Sequence, residues 1–280
     1  METYPNFFIV GAAKAGTTSL YEYLNKISKI YMSSVKEPHY FAQDIIDFKV
    51  KPNRFRITDT QQYLDLFKGV KDEVAIGEGS TTYLRNPVTA KRIHEKLPDS
   101  KIIILLREPI DQVISGFHMN QTQGWVEGSL SEFLEKNLGM NNTRKFRPDF
   151  FYSEQVKRYM DFFGSAQVKV IIFEQFVVDP ETTVKEVVKF LGINNFPDNL
   201  QYEIHNKAEG DKPELKAEEK DFLINYFKED VKKLELLLGK KIPWPYYFDK
   251  NNKWLALMHS QKVRILKLWT RSLLKSLSIK

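Results

Sequence analysis

Gly11-Ala-Ala-Lys14-Ala15-Gly16-Thr17-Thr18-Ser19 has the residue types of a loop that binds anions. Glycines let the backbone approach a phosphate closely. N–H groups at the start of a following helix point at the ligand, and the helix dipole favours negative charge there. The nucleoside-triphosphate version of such a loop reads G-x-x-x-x-G-K-[ST]. Both glycines stand at that spacing, but Thr17 occupies the lysine position and the lysine lies inside the loop, at Lys14. A lysine within the loop lies nearer the first phosphate, and whatever bridges to it, than the β/γ pair that the usual lysine serves.

A second constellation follows about ninety residues later. Lys101-Ile-Ile-Ile-Leu-Leu106 runs into Arg107-Glu108-Pro109, with Ser115 eight residues after the arginine. A guanidinium offers forked donors matched to a phosphate. Ser115, about two turns into a helix opened by Pro109, can donate a hydroxyl to the same group. The bland alternative for Arg107 is a surface pair with Glu108 or Asp111.

These residues need elements to hold them. Phe7–Val10 reads as a buried strand ending at Gly11, and Thr17 or Thr18 can cap a helix to about Lys26 with Leu20, Tyr23 and Leu24 on one face. Lys101–Leu106 is a second buried strand, followed by a helix turning Val113, Ile114 and Phe117 inward. Val168–Phe173 is a third, before a helix from Asp179-Pro180 that Gly192 stops. Continuous apolar strands alternating with amphipathic helices predict an α/β domain whose central parallel sheet is covered on both faces. Pro213–Leu238 reads as a long charged helix, Ile242–Phe248 as a Pro/aromatic break, and 250–280 as an amphipathic basic helix.

The first loop, Gly-x-x-Lys-x-Gly-Thr-Thr-Ser-Leu, resembles the 5′-phosphosulfate loop of sulfotransferases that use 3′-phosphoadenosine 5′-phosphosulfate (PAPS). Arg107…Ser115 is similar to that family's 3′-phosphate element. The resemblance covers roughly residues 5–245 and is nearest to the carbohydrate (heparan-sulfate and Golgi-type) branch and its bacterial relatives. It implies a P-loop-like fold, PAPS as donor with 3′,5′-adenosine bisphosphate (PAP) as product, no metal, and a hydroxyl acceptor, most naturally on a carbohydrate. It places cofactor contacts on Lys14, Ala15, Gly16, Thr17, Thr18, Ser19, Arg107 and Ser115, and on Lys207 and Lys212 in a polar loop before the long helix. Val35-Lys36-Glu37-Pro38-His39-Tyr40-Phe41 is similar to the branch's Lys-Glu-x-x-Phe-Phe element, which makes Glu37 the general base and Lys36 a partner for the sulfonate or acceptor. His39 and His118 are rival bases, because cytosolic members use a histidine. Gly77–Leu84 resembles a Glu-Lys-Ser/Thr-x-x-Tyr-Phe segment, but Gly79 stands where that segment carries a lysine; Ser80 and Tyr83 become candidates to line a pocket, and Glu78, Asp111 and Glu174 read as structural or rim charges.

Composition bounds the rest. The chain has 280 residues, 42% hydrophobic and 28% charged, which is ordinary globular usage. With no cysteine, a disulfide scaffold, a thiolate metal site and a cysteine nucleophile are all excluded. The net charge of +6 is not spread evenly. Residues 250–280 hold eight of the 42 Lys and Arg and no Asp or Glu, leaving 34 basic against 36 acidic residues in 1–249. The division drawn from this is a sulfotransferase-like body, 1–249, and an extension, 250–280, with Trp254 and Trp269 among its apolar residues, suited to a membrane surface or a partner. No signal peptide or spanning segment is read, so the expectation is cytoplasmic, with peripheral attachment to the inner membrane face as its variant. The basic residues do not interleave with aromatics as in nucleic-acid modules. The competing readings are a small-molecule kinase, a sulfotransferase acting on a lipid or phenol, and a non-catalytic nucleotide-binding scaffold. Acceptor identity is not legible, although Trp125, Phe146, Phe150, Phe151 and Tyr152 are candidates for an aromatic platform; nor is the oligomeric state.

Overall fold

The apolar run after Asn6 is a strand, β1 (Phe7–Gly11), buried at every position. A computed structural model describes residues 2–43, 57–140, 151–197, 200–202 and 213–247. Within them β1 is joined by β2 (Ile30–Met32), β3 (Ala75–Gly79), β4 (Lys101–Leu106) and β5 (Val168–Ile172). The five form one parallel sheet in the order β2-β3-β1-β4-β5. Phe8 pairs with Glu78 on one side and Ile102 on the other.

Parallel neighbours need long crossovers, and helices fill these and follow the last strand. They are α1 (Thr17–Asn25), α2 (Thr60–Asp65), α3 (Thr82–Arg85), α4 (Thr89–Lys96), α5 (Pro109–Thr122), α6 (Leu130–Leu138), α7 (Tyr152–Phe163), α8 (Phe173–Val178), α9 (Pro180–Phe190) and α10 (Ala217–Leu238). α1 and α9 pack together and against β1, β2 and β5, while α3, α4 and α7 form a second group against β1, β4 and β5. α10 lies outside α7 and α5. Covered on both sides, Ile102 to Leu106 are fully buried.

Strand order places the site. From β1 the chain moves to β2 and β3 on one side, then crosses to β4 on the other. The carboxyl ends of β1 and β4 therefore flank a switch point, where ligands gather in open α/β sheets.

Two local expectations change. Neither Thr17 nor Thr18 stands at the cap of α1: the cap position is Gly16, left-handed at φ 83°, which has no side chain to bond the first amides. The helix is opened by a backbone turn rather than by a capping side chain at that position. The long charged helix begins at Ala217 rather than Pro213, with Glu219 reaching back to the Lys216 N–H. α5 starts as expected, with Pro109 in the first position and Glu108 accepting from the Ile110 and Asp111 amides. Glu174 of α8 accepts from the Glu108 N–H (3.0 Å) and from Trp244 Nε1 (2.9 Å), so the Pro/aromatic break is core packing that braces the β4–α5 turn.

Candidate functional site

The loop between β1 and α1 is pinned from three directions. Arg107 Nη1, just past β4, donates to the Lys14 carbonyl at 3.0 Å. Gln112 Nε2 on α5 donates to the Ala13 carbonyl at 3.2 Å. A Cβ on Gly11 would sit 2.6 Å from Leu84 Cβ and 3.3 Å from the Thr81 carbonyl, and one on Gly16 would meet the Phe173 ring at 2.9 Å. Both glycines are therefore required by close packing. Ala15 and Thr17 are buried, Lys14, Thr18 and Ser19 half-buried. The Lys14 ammonium rests 3.5 Å from Met119 Sδ.

Arg107 lies across the switch point from Lys14. Its guanidinium stacks over Phe173, 4.9 Å from the ring centroid, a cation–π contact that fixes its plane. Asp111 Oδ2 is 4.0 Å away, too far for a hydrogen bond, and Nε is buried with no partner among the described residues. Ser115 and His118 lie on α5, both buried.

Glu37 reaches the same strand ends from the other side. Its N–H donates to the Gly79 carbonyl at the end of β3 (2.9 Å). Glu37 Oε2 accepts from Thr81 N (2.9 Å) and Thr81 Oγ1 (3.3 Å), and Oε1 accepts from Lys36 Nζ (3.0 Å). His39 Nδ1 is 3.6 Å from Oε2 and makes its own bond, 2.8 Å, to Thr82 Oγ1. Burial alone would raise the Glu37 carboxyl, but the Lys36 ammonium, then His39 and the Thr81 N–H, outweigh it and hold the group below the usual carboxylate range. About a quarter of the Glu37 and Lys36 side chains is exposed, so a ligand can reach both.

Backbone conformation marks the same residues. Among the described residues the non-glycine positions with left-handed φ are Lys14 (65°), Glu37 (61°) and His39 (58°). Such strain persists only where surrounding contacts over-determine it, and it clusters at functional sites.

Several sequence expectations are corrected. Ser80 and Tyr83 do not line a pocket: both are fully buried and donate to Glu78, itself fully buried. Phe151 and Tyr152 are core residues rather than a platform, while Trp125 is half-exposed and Phe146 and Phe150 lie outside the described residues. Lys207, Lys212 and the extension 250–280 also lie outside them. Gly79, the departure from the Lys-bearing segment, faces Tyr21, whose ring a Cβ would meet at 3.1 Å. Thr81 and Phe173 were not singled out from sequence. Thr81 could have been found from its place in the Gly77–Leu84 segment, whereas no local signal puts Phe173 beneath Arg107. A groove of about 770 Å³ opens beside the segment after Glu37, lined by Tyr40, Phe41, Gln43, Thr58, Arg92, Glu95 and Lys96.

Three comparisons bear on this geometry. The membrane-associated sulfotransferase kil1 of Dictyostelium discoideum is 24% identical over 86% of this chain and 66% of its own length. The human bifunctional heparan sulfate N-deacetylase/N-sulfotransferase 3 is 25% identical over 85% of this chain, which spans only 31% of that protein. The crystal structure of a sulfotransferase from Alicyclobacillus acidocaldarius superimposes with a TM-score of 0.71 at 35% identity, covering 86% of this chain and 98% of that one. The sulfotransferase family matches residues 5–198, a span that holds the glycine loop, Glu37 and Arg107, and the chain belongs to that family.

Proposed function

We propose that this chain transfers a sulfonate group from PAPS to a hydroxyl of a carbohydrate acceptor. The observation that carries the reading is the Arg107–Lys14 contact across the switch point, with Glu37 tied to the end of the neighbouring strand. The residues present fit the donor. The glycine loop opens its helix at a residue with no side chain to cap the amides, and Arg107 keeps a buried Nε–H with no acceptor among the described residues. Lys14 and the amides of residues 15–19 would hold the 5′-phosphate end; Arg107 and Ser115 would hold the 3′-phosphate, joined by Lys207 and Lys212. When bound, the donor supplies an activated sulfonate on a good leaving group.

The chain's own residues divide the remaining work. Lys14 puts a fixed positive charge where the leaving phosphate gains negative charge. Glu37 accepts the proton that the acceptor loses as its oxygen bonds to sulfur. Its depressed proton affinity keeps it ionised at neutral pH, and release of Lys36 toward the incoming sulfonate would raise its basicity as the site fills. His39 is held by Thr82 and lies behind Glu37, and His118 is buried on α5, so Glu37 is the better placed of the three rivals. The groove beside Tyr40, with aromatic walls and the cations Arg92 and Lys96, suits a carbohydrate carrying negative charge. The name of the human relative points to an amine as a second acceptor type, and Glu37 can take a proton from either. Extension 250–280 is assigned to a membrane surface or partner, which liposome co-sedimentation with and without it tests.

PAP should raise the melting temperature, and radiolabelled sulfonate should move from PAPS to a member of a panel of glycan, aminoglycan, lipid and phenol acceptors. No shift at saturating PAP, or a shift with ATP and Mg²⁺ instead, would overturn the donor assignment in favour of the kinase. Lys14→Ala and Arg107→Ala should weaken PAP binding; Glu37→Gln should spare it and lower turnover.

A further inference from the structure

We propose that Glu78 is a positioning residue for sulfonate transfer, its buried carboxylate setting the direction of two hydroxyl relays that hold the Glu37 segment in place; this rests on the reading of Glu37 as the base. Five consecutive residues after Glu78 each make at least one polar contact to residues 37–41. The Gly79 carbonyl accepts from Glu37 N, Ser80 Oγ accepts from His39 N (3.1 Å), and Thr81 N donates to the Glu37 carboxylate. Thr82 Oγ1 pairs with His39 Nδ1, and Tyr83 Oη accepts from Phe41 N (3.1 Å). Three of these contacts depend on hydroxyls, two of which, on Ser80 and Tyr83, also bond Glu78, and a hydroxyl has a single proton to place.

Glu78 decides where those protons go. Its Oε1 accepts from Ser80 Oγ (2.7 Å), and its Oε2 accepts from Tyr83 Oη (3.0 Å) and Tyr63 Oη (2.8 Å). When Glu78 is ionised, above the value of about 7 to which burial raises it, Ser80 and Tyr83 commit their protons to the carboxylate and turn lone pairs toward the His39 and Phe41 amides; below it the protonated acid donates to one of its partners and the arrangement loosens. A group at 78 that donates on one side would turn at least one hydroxyl round, setting its proton against other donors. The segment so held contains two left-handed non-glycine residues, Glu37 and His39, whose conformation needs this many constraints. A fully buried carboxylate with no contact to the site surface is otherwise a poor choice for a sheet interior.

The test is Glu78→Gln, which keeps shape and removes one acceptor oxygen. PAP affinity should stay within about twofold of wild type and the KM for PAPS should hold. Turnover should fall at least tenfold, and amide exchange at His39 and Phe41 should accelerate. The Glu37→Gln/Glu78→Gln double variant should be no slower than Glu37→Gln alone, because positioning has no value once the base is gone. Wild-type turnover in a folded, PAP-binding Glu78→Gln protein overturns the proposal, as does a multiplicative loss in the double variant. Should Glu78→Gln not fold, Ser80→Ala and Tyr83→Phe each cut one relay with the carboxylate in place; unchanged turnover in both overturns it. Normal turnover in Glu37→Gln removes the base instead, and amide exchange in Glu78→Gln still reports whether the carboxylate holds the segment.

Discussion

Gly16→Ala tests how the glycine loop and Arg107 depend on each other. Two penalties follow from the geometry. Residue 16 sits at φ 83°, ψ 14°, where an L side chain costs about 1–2 kcal/mol. Its Cβ would also lie 2.9 and 3.0 Å from Phe173 Cδ2 and Cε2, an overlap of the kind that costs about 1–3 kcal/mol when the ring must shift. Together they amount to roughly 2–5 kcal/mol, or a melting temperature lower by roughly 4–20 °C in a domain of this size. The displaced ring is the one under Arg107, at 4.9 Å, so the guanidinium moves with it. PAP affinity should fall about tenfold, equivalent to about 1.4 kcal/mol. Thermal denaturation and titration calorimetry measure the two effects separately. Adding Phe173→Leu should return the packing share of the stability and leave the left-handed share lost. A Gly16→Ala protein melting within about 2 °C of wild type with unchanged PAP affinity would refute both the conformational and the packing argument.

Gly79→Lys restores the residue type of the resembled segment, but its Cβ would press on Tyr21 at 3.1 Å, and Tyr21 is hydrogen-bonded to the Ser33 carbonyl. It should lose about 1–3 kcal/mol in urea denaturation without faster turnover, and an equally stable, more active variant would show that the space exists. Burial raises Glu78 to about 7 and Glu108 to about 8. Each binds a proton in the folded state at pH values where the unfolded chain has lost it, so their contribution to stability is full below about pH 4.5 and is lost as pH rises to 7 and 8; for Glu78 alone the whole loss is about 3 kcal/mol. Denaturation at pH 5.5 and 8.5 should show that fall, and Glu78→Gln should flatten it; a rise would contradict the burial of these acids. Lys96→Glu reverses an exposed charge in the groove beside Tyr40 and should raise the KM for an anionic carbohydrate several-fold with PAP affinity unchanged; an unaltered KM would move the acceptor elsewhere.

What the sequence discloses depends on how local each cause is. β1, β4 and β5 are legible because a strand buried on both faces is a continuous apolar run. β2 is three residues long, and β3 reads Ala-Ile-Gly-Glu-Gly, with no such run. β3 is nonetheless an interior strand, and the Phe7 ring fills the space beside Gly77, where a Cβ would lie 2.1 Å from the ring. Lys14 and Arg107 are legible from residue type and position after a strand. The Glu78 network is not, because its hydroxyls come from positions 63, 80 and 83 and meet only when α2 and α3 close over β3. The threonine cap fails for a related reason: Thr17 has the right side chain, but a left-handed glycine before it already turns the chain into the helix.

The left-handed backbone at Lys14, Glu37 and His39 has a consequence for the history of such a chain. At each of these positions glycine would be the easier residue, by about 1 kcal/mol. Selection for stability alone would therefore erase an ammonium, a carboxylate and an imidazole from the loops where they now stand. A descendant that kept the fold but no longer needed the chemistry should drift toward glycine at these three positions first. That drift is a mark by which a retired copy could be told from a working one before any assay is run.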